Sequence, residues 1–185
     1  MGSKKEKQIF LTFDDGPTPE ITTRVLSLLK EFNAKATFFC IGKNAEAFPD
    51  IFNEIIEQGH SVGNHSYSHR NGWKSANKIY IDDVKKAAQF VKSKLFRPPY
   101  GKVSPLQWLA LRKEYKIIAW TCLSKDYEVK ESAKKILNRI IKATRPGAIL
   151  VFHDSKKAWI NLEKVLPQYL EYLKTQKYQC LPIKF

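Results

Sequence analysis

The stretch IFLTFDDGP at residues 9–17 decides the fold of this chain. Its first five residues are mostly β-branched or aromatic, which predicts a β-strand, and Gly16-Pro17 ends that strand. Because successive side chains of a strand point to opposite faces, Asp14 and Asp15 share one site only where the strand stops. Two carboxylates held this close repel each other unless a cation neutralises one of them. The stretch therefore predicts a strand that delivers two acids to a candidate cation site.

A second polar motif, HSYSH at residues 65–69, places two histidines four positions apart. This spacing puts both rings on one face if the segment is helical or tightly turned. With the acids, the histidines provide three metal ligands and a spare carboxylate, the minimum for a metal-activated water with its own base. A solvated turn and an ordinary histidine pair are the alternatives for the two motifs taken singly. The chain has only 4 histidines, however, and further polar motifs follow other predicted strands.

Strand-like and helix-like segments alternate along almost the whole chain, which predicts an α/β protein with a parallel sheet. The polar motifs fall at strand ends, so a barrel with its active site on that face is favoured, with an open doubly wound sheet as the alternative. An apolar stripe over 81–95 predicts a helix, and Ser104-Pro105-Leu106-Gln107 predicts a capping box. We expect one domain over residues 9–185, after an N-terminal extension at residues 1–8.

Composition narrows the classes of function. The net charge is +14, but the lysines are spread over predicted helices and no nucleic-acid-binding motif is present, so we expect no specific nucleic-acid partner. No apolar run is long enough to predict a membrane span. The 3 cysteines do not form a complete disulfide framework. For location, we expect the bacterial cell envelope or the extracellular space if a leader was removed, and the cytoplasm otherwise.

Three more motifs follow predicted strands: RPPYG at 97–101, Asp126-Tyr127, and Val151-Phe152-His153. With the first two motifs, they appear in the order and at the spacings of the polysaccharide deacetylases. The chain resembles this family, the NodB-homology domains of carbohydrate esterase family four, from residue 10 to residue 185. The resemblance implies a distorted (β/α)7 barrel, smaller than the eight-stranded form.

The resemblance also implies a ligand set and a base. By position, Asp15, His65 and His69 would hold one divalent metal ion, commonly zinc, with cobalt or another divalent ion as alternatives. Asp14 would then be the general base, which agrees with the need for one free carboxylate beside a metal-activated water. Arg97 would pair with Asp14, keeping it ionised and oriented.

The remaining motifs would supply the other catalytic and substrate-binding groups. The backbone N–H of Tyr100 would stabilise an oxyanion, and His153, oriented by Asp126, would be the general acid. The implied substrate contacts are Pro98, Tyr127 and Val151. The family's fourth motif usually opens with aspartate and closes with tryptophan, where this chain has Leu123 and Tyr127, and Val151 replaces a usual leucine.

The implied reaction is hydrolysis of an N-acetyl group from N-acetylglucosamine residues of peptidoglycan or a chitin-like polymer. Three alternatives stay open from the sequence. The first is an acetylxylan-type O-deacetylase with the same site. The second is a non-catalytic glycan- or polyanion-binding domain, and the third, based on charge alone, is a nucleic-acid-binding protein.

Overall fold

A computed structural model describes residues 7–184 and contains one parallel sheet with helices packed around it. The strands are β1 (Gln8–Asp14), β2 (Ala36–Cys40), β3 (Ser61–Asn64), β4 (Leu95–Phe96), β5 (Lys116–Ile117), β6 (Cys122–Leu123), β7 (Ile149–His153) and β8 (Gln179–Cys180). The α-helices are α1 (Ile21–Glu31), α2 (Gly42–Ala47), α3 (Pro49–Glu57), α4 (Asn77–Ala87), α5 (Pro105–Leu111), α6 (Ala133–Ala143) and α7 (Lys156–Thr175).

The strands follow the circular order of an incompletely closed barrel. Within the described residues the order is β5-β4-β3-β2-β1-β7-β6, and the short β8 pairs with the start of β1. Strand β1 pairs with β2 on one side and β7 on the other, so the chain runs around the sheet and leaves it open between β5 and β6. This order confirms the predicted α/β class and the distorted seven-stranded barrel, and it rules out the doubly wound alternative.

The two faces of β1 have different environments because its side chains alternate. Ile9, Leu11 and Phe13 are fully buried in the main hydrophobic cluster, together with residues of α1 and α7. The ring of Phe13 stacks on Phe38 of β2 at 5.1 Å between centroids. Thr12 and Asp14 point to the other face, where Arg97 meets both side chains. The apolar face fixes the register of β1, and the polar face is thereby aimed into the barrel.

Two helix predictions have different outcomes. The capping box is present: Gln107 N–H donates to Ser104 Oγ at 3.3 Å, and Ser104 N–H donates to Gln107 Oε1 at 2.9 Å. The helix predicted over 81–95 is wrong in its bounds, since α4 spans Asn77–Ala87. After α4 the chain continues in tight turns with i→i−3 hydrogen bonds, and Val91 is buried from that irregular segment. The apolar stripe therefore continues beyond the helix.

The ends of the chain limit what can be compared with the predicted domain bounds. The predicted extension at residues 1–8 falls outside the described residues except for Lys7 and Gln8, and Gln8 already belongs to β1. Residue 185, the predicted end of the domain, is also outside them. Among the described residues, no helix combines the length and the apolar character that crossing a membrane requires.

A glycine in β3 provides a test of the packing beneath the site. Gly63 is in register with Phe39 of β2, and a Cβ on Gly63 would lie 2.4 Å from a ring carbon of Phe39. Because this interior is close-packed, we expect Gly63→Ala to lower the free energy of unfolding by about 1–3 kcal/mol. Urea unfolding measures the change, with Ser61→Ala in the same strand as the control. Equal midpoints for the two variants would contradict the expected clash.

Candidate active site

A pocket of about 500 Å³ opens where the carboxyl ends of β1, β3 and β7 meet. It is lined by most of the residues that the sequence singles out: Asp14, Asp15, His65, His69, Pro98, Tyr100, Tyr127, Val151 and His153. The other two predicted residues, Arg97 and Asp126, lie behind the lining and contact pocket residues from there. The fold therefore brings all five motifs to one site.

Asp15, His65 and His69 form a cluster that could hold a metal ion. Their ligand atoms all lie within 4.8 Å of one another. Oδ1 of Asp15 is 3.2 Å from Nε2 of His69 and 3.7 Å from Nε2 of His65. One carboxylate and two imidazoles are a donor set typical of zinc, and three protein ligands are what catalytic sites of this ion usually provide.

The protonation states of this cluster suit a cation. Burial raises the pKa of Asp15, but the hydrogen bond with His69 and the nearby histidine charges outweigh it and lower the pKa to about 2. Burial lowers the pKa of His65 to about 4. At neutral pH the cluster thus offers an ionised carboxylate and a neutral imidazole. Nδ1 of His65 donates to the backbone oxygen of Arg97 at 2.7 Å, which leaves Nε2 as the ring nitrogen with a free lone pair.

The two histidines are aligned by a tight turn, the second of the two conformations that their spacing allows. β3 ends at Asn64, and Ser66 and His69 both have positive φ, 60° and 54°. Asp83 of α4 holds this turn from behind by accepting hydrogen bonds from the N–H groups of Tyr67 and Ser68, both at 3.0 Å. Sequence reasoning missed Asp83 because nothing in the local pattern of α4 indicates which turn its side chain reaches.

Asp14 lies beside the cluster and makes a buried ion pair with Arg97. Nη1 of Arg97 donates to Oδ1 of Asp14 at 2.7 Å and to Oγ1 of Thr12 at 2.6 Å. The Arg97 side chain is fully buried, and its guanidinium also lies over the ring of Phe39 at 4.1 Å. The arginine fixes the direction of the Asp14 carboxylate, which faces the pocket.

His153, at the end of β7, is paired with a buried carboxylate. Nδ1 of His153 donates to Oδ1 of Asp126 at 2.7 Å, and the backbone N–H of His153 donates to Oδ2 at 2.8 Å. Burial lowers the pKa of His153, but the hydrogen bond and charge of Asp126, together with the charges of Asp14 and Asp15, raise it to about 9. The imidazole is therefore protonated at neutral pH and suited to give up a proton.

The RPPYG motif forms one wall of the pocket. Its residues Pro99–Gly101 make a single 3-10 turn in which Tyr100 has a positive φ of 57°. The Tyr100 ring is 61% exposed and its centroid lies 4.6 Å from that of His69. Within the described residues, no backbone or side-chain acceptor takes the N–H of Tyr100, so it is free to donate to a bound molecule.

The opposite wall contains both predicted and unpredicted residues. The Tyr127 ring meets His153 edge-on with centroids 4.9 Å apart, and Val151 is buried beneath it. Trp120 and Lys157 also line the pocket, and sequence reasoning missed them. Trp120 lies inside a segment predicted as strand, and only its position at the carboxyl end of that segment could have pointed to it.

Two other aromatic residues expected to be exposed lie outside the pocket. Trp73 is 68% exposed, but its indole N–H donates to the backbone of Val103 rather than facing the site. The Tyr67 ring packs against Phe90, and its hydroxyl donates to Glu46. Tyr127 is therefore the one of these three aromatic residues that lines the pocket.

Comparisons with known proteins agree with the resemblance of the motifs. The sequence model of the polysaccharide deacetylase family matches residues 1–120. The chain is 34% identical to a peptidoglycan-N-acetylglucosamine deacetylase of Bacillus cereus, over all of this chain and 70% of that protein. It is 31% identical to a chitooligosaccharide deacetylase of Azorhizobium caulinodans, over 82% of this chain and 76% of that protein.

The fold is similar to that of solved structures as well. The peptidoglycan deacetylase PdaC from Bacillus subtilis superposes with a TM-score of 0.87 at 25% sequence identity. The superposition covers 98% of this chain and 90% of that one. The incompletely closed barrel is therefore shared with a solved deacetylase over nearly the whole chain.

The His153–Asp126 pair makes a prediction about protonation. In Asp126→Asn the carboxylate that opposes the effect of burial is gone, so the pKa of His153 should fall from about 9 toward the ordinary histidine value of 6.5. An NMR titration of the imidazole in the metal-free protein measures the change. Asp82→Asn, which removes an exposed carboxylate paired with Lys78, should leave the titration unchanged. An unshifted pKa in Asp126→Asn would show that another group keeps His153 protonated.

Proposed function

This chain belongs to the polysaccharide deacetylase family, hydrolases that remove acetyl groups from polysaccharides, and from that premise we propose its substrate and the roles of its residues. The substrate is a β-1,4-linked polymer containing N-acetylglucosamine, peptidoglycan or a chitin-like glycan, from which the pocket removes N-acetyl groups as acetate. The observation that carries the proposal is a carboxylate, Asp14, and a protonated imidazole, His153, which flank one Asp-His-His cluster.

Family membership implies a divalent metal ion, and the residues fit one. We propose zinc, held by Asp15, His65 and His69, since an ionised carboxylate and imidazole nitrogens are its usual ligands. When bound, such an ion polarises a carbonyl oxygen and makes water more acidic. The charge of Asp15 and the orientation of His65 through the backbone of Arg97 are ready for that ion in the protein itself.

Asp14 is the proposed general base. A water molecule that attacks the acetyl carbonyl carbon must lose a proton as its C–O bond forms, and the Asp14 carboxylate accepts that proton. Because Arg97 holds one oxygen of Asp14 in place, the carboxylate does not need to reorient during the reaction. The negative charge that develops on the carbonyl oxygen is stabilised by the free N–H of Tyr100.

His153 is the proposed general acid. The tetrahedral species collapses when the C–N bond breaks, and its electron pair stays on the nitrogen of the leaving amine. His153 donates its proton to that nitrogen, while Asp126 holds Nδ1 and stabilises the imidazolium that must be present beforehand. The products are acetate and a free amino sugar.

The properties of His153 favour an N-acetyl group over an O-acetyl group. An amine is a much poorer leaving group than an alcohol unless it is protonated, and a histidine with a pKa of about 9 is a ready proton donor at neutral pH. The buried ion pairs behind Asp14 and His153 argue against a binding-only domain, because binding alone does not require an oriented acid and base. These contacts favour N-deacetylation over the acetylxylan alternative.

The charge of the chain and the names of its relatives favour a wall polymer. A net charge of +14 attracts an acidic glycan such as peptidoglycan more strongly than it attracts neutral chitin. Relatives at 34% and 31% identity are named for peptidoglycan-N-acetylglucosamine and for chitooligosaccharides. Action on peptidoglycan would place the protein at the bacterial cell envelope.

Removal and return of the metal test the proposed mechanism. Metal-stripped protein should release no acetate from N-acetylglucosamine oligomers or peptidoglycan, and added zinc should restore release. Asp14→Asn should bind zinc like the parent but lose roughly 10²–10⁴-fold in kcat, because it lacks only the base. Asp15→Asn should lose the zinc itself. Acetate release that is unaffected by Asp14→Asn would remove this residue as the base.

Tyr127→Ala tests the proposed sugar contact. Stacking of a sugar on this ring is worth about 0.5–1.5 kcal/mol, so KM should rise roughly two- to tenfold. Trp73→Ala is the matched control, since Trp73 is an exposed aromatic residue outside the pocket. If both variants keep the parental KM on N-acetylglucosamine oligomers, Tyr127 is not a substrate contact. If acetylated xylan is hydrolysed faster than these oligomers, the O-deacetylase alternative is correct.

A further inference from the structure

The backbone around Asp15 is held in an unusual conformation. Asp15 has a φ of 83°, a region that favours glycine, and a residue stays in this region only where its surroundings impose it. The two torsion angles of Asp15 depend on the peptide planes before and after it, because each peptide plane is rigid. Hydrogen bonds that fix both planes would therefore fix the direction in which the Asp15 carboxylate points.

Asp154 contacts both of these planes. Its backbone N–H donates to the carbonyl oxygen of Asp14 at 3.1 Å, which holds the plane before Asp15. Its side-chain Oδ1 accepts the N–H of Gly16 at 3.0 Å, which holds the plane after it. The side chain of Asp154 is fully buried, and its Oδ2 accepts the hydroxyl of Thr22 at 2.6 Å. Beyond the end of β1, this carboxylate serves as the acceptor that a neighbouring strand would otherwise provide.

The residue type at position 16 is consistent with this contact. A Cβ on Gly16 would lie 2.0 Å from Oδ2 of Asp154, so only glycine lets the carboxylate reach the N–H. The other polar end of the same peptide plane is the carbonyl oxygen of Asp15. It accepts a hydrogen bond from Nδ2 of Asn44, in α2, at 2.8 Å. Side chains from two different elements thus hold the plane between Asp15 and Gly16 at both ends.

We propose that Asp154 and Asn44 are positioning residues that hold Asp15 in the conformation in which its carboxylate faces His65 and His69, and thereby set the affinity for the divalent ion. The inference rests on the proposed function, because it concerns the same cluster. Neither residue faces the ion or the substrate. Each acts through the backbone of Asp15, and removing either one lets the carboxylate leave the direction in which the ligand atoms converge.

Zinc affinity of the metal-stripped chain, measured by calorimetry, tests the proposal. Asn44→Leu keeps the size of the side chain and removes its donor, and Asp154→Ala removes the acceptor of the Gly16 N–H. Each should bind zinc roughly 10–100-fold more weakly than the parent, as is typical when an outer contact of a ligand is lost. The visible spectrum of the cobalt-loaded protein should change in both, because the direction of one ligand changes. Asn44 is only half-buried, so Asn44→Leu serves even if Asp154→Ala fails to fold.

Two further variants separate positioning from charge and from general loosening. Asp154→Asn keeps an oxygen that accepts the Gly16 N–H, so it should retain near-parental affinity. Asn161→Leu removes another buried amide, whose Nδ2 holds the backbone oxygens of Asp126 and Glu128, and it should leave zinc affinity unchanged.

Three results would overturn the positioning role. They are parental affinity and spectrum in both Asn44→Leu and Asp154→Ala, equal weakening in Asp154→Asn and Asp154→Ala, and equal weakening in Asn161→Leu. A parent protein that binds neither zinc nor cobalt is a different result, because it overturns the proposed metal site together with the inference.

Discussion

The burial of the Arg97 guanidinium is the constraint on which the rest of the structure depends. A buried charge is costly unless its donors are matched, and here they are: Asp14 and Thr12 accept from Nη1, and the backbone oxygens of Ile118 and Ala119 accept from Nε and Nη2. These partners come from β1 and from the segment after β5. The arginine therefore joins two parts of a sheet that is open between β5 and β6, and the same contact sets the direction of a pocket carboxylate.

The circular strand order turns this constraint into a site. All seven strands of the path are parallel, so their carboxyl ends lie on one rim, and β1 has β2 and β7 as its neighbours. Asp14 and His153 are register partners at the ends of β1 and β7. An acid and a base that are 139 positions apart in sequence thus become adjacent through backbone pairing alone, before any side chain contributes.

Sequence patterns are sufficient where the physical cause is local, and insufficient where it is not. The strand before Asp14, the capping box at Ser104 and the placing of polar motifs at strand ends all follow from propensity and hydrogen-bonding chemistry within a few residues. The end of α4 does not, because the apolar stripe continues into a turn that buries Val91 without helical geometry. The positive φ of Asp15 is also hidden, since the groups that hold it belong to α2 and to the end of β7.

The two ion pairs behind the pocket use the same chemistry in opposite senses. In one, the carboxylate of Asp14 faces the pocket and the cation of Arg97 is buried behind it; in the other, the imidazole of His153 faces the pocket and the carboxylate of Asp126 is buried behind it. A pair that presents its anion can accept a proton, and a pair that presents its protonated ring can donate one. Which partner faces the pocket therefore distinguishes base from acid, and the strand that carries it decides this, because Asp14 and His153 both end strands on the rim while Arg97 and Asp126 approach from behind.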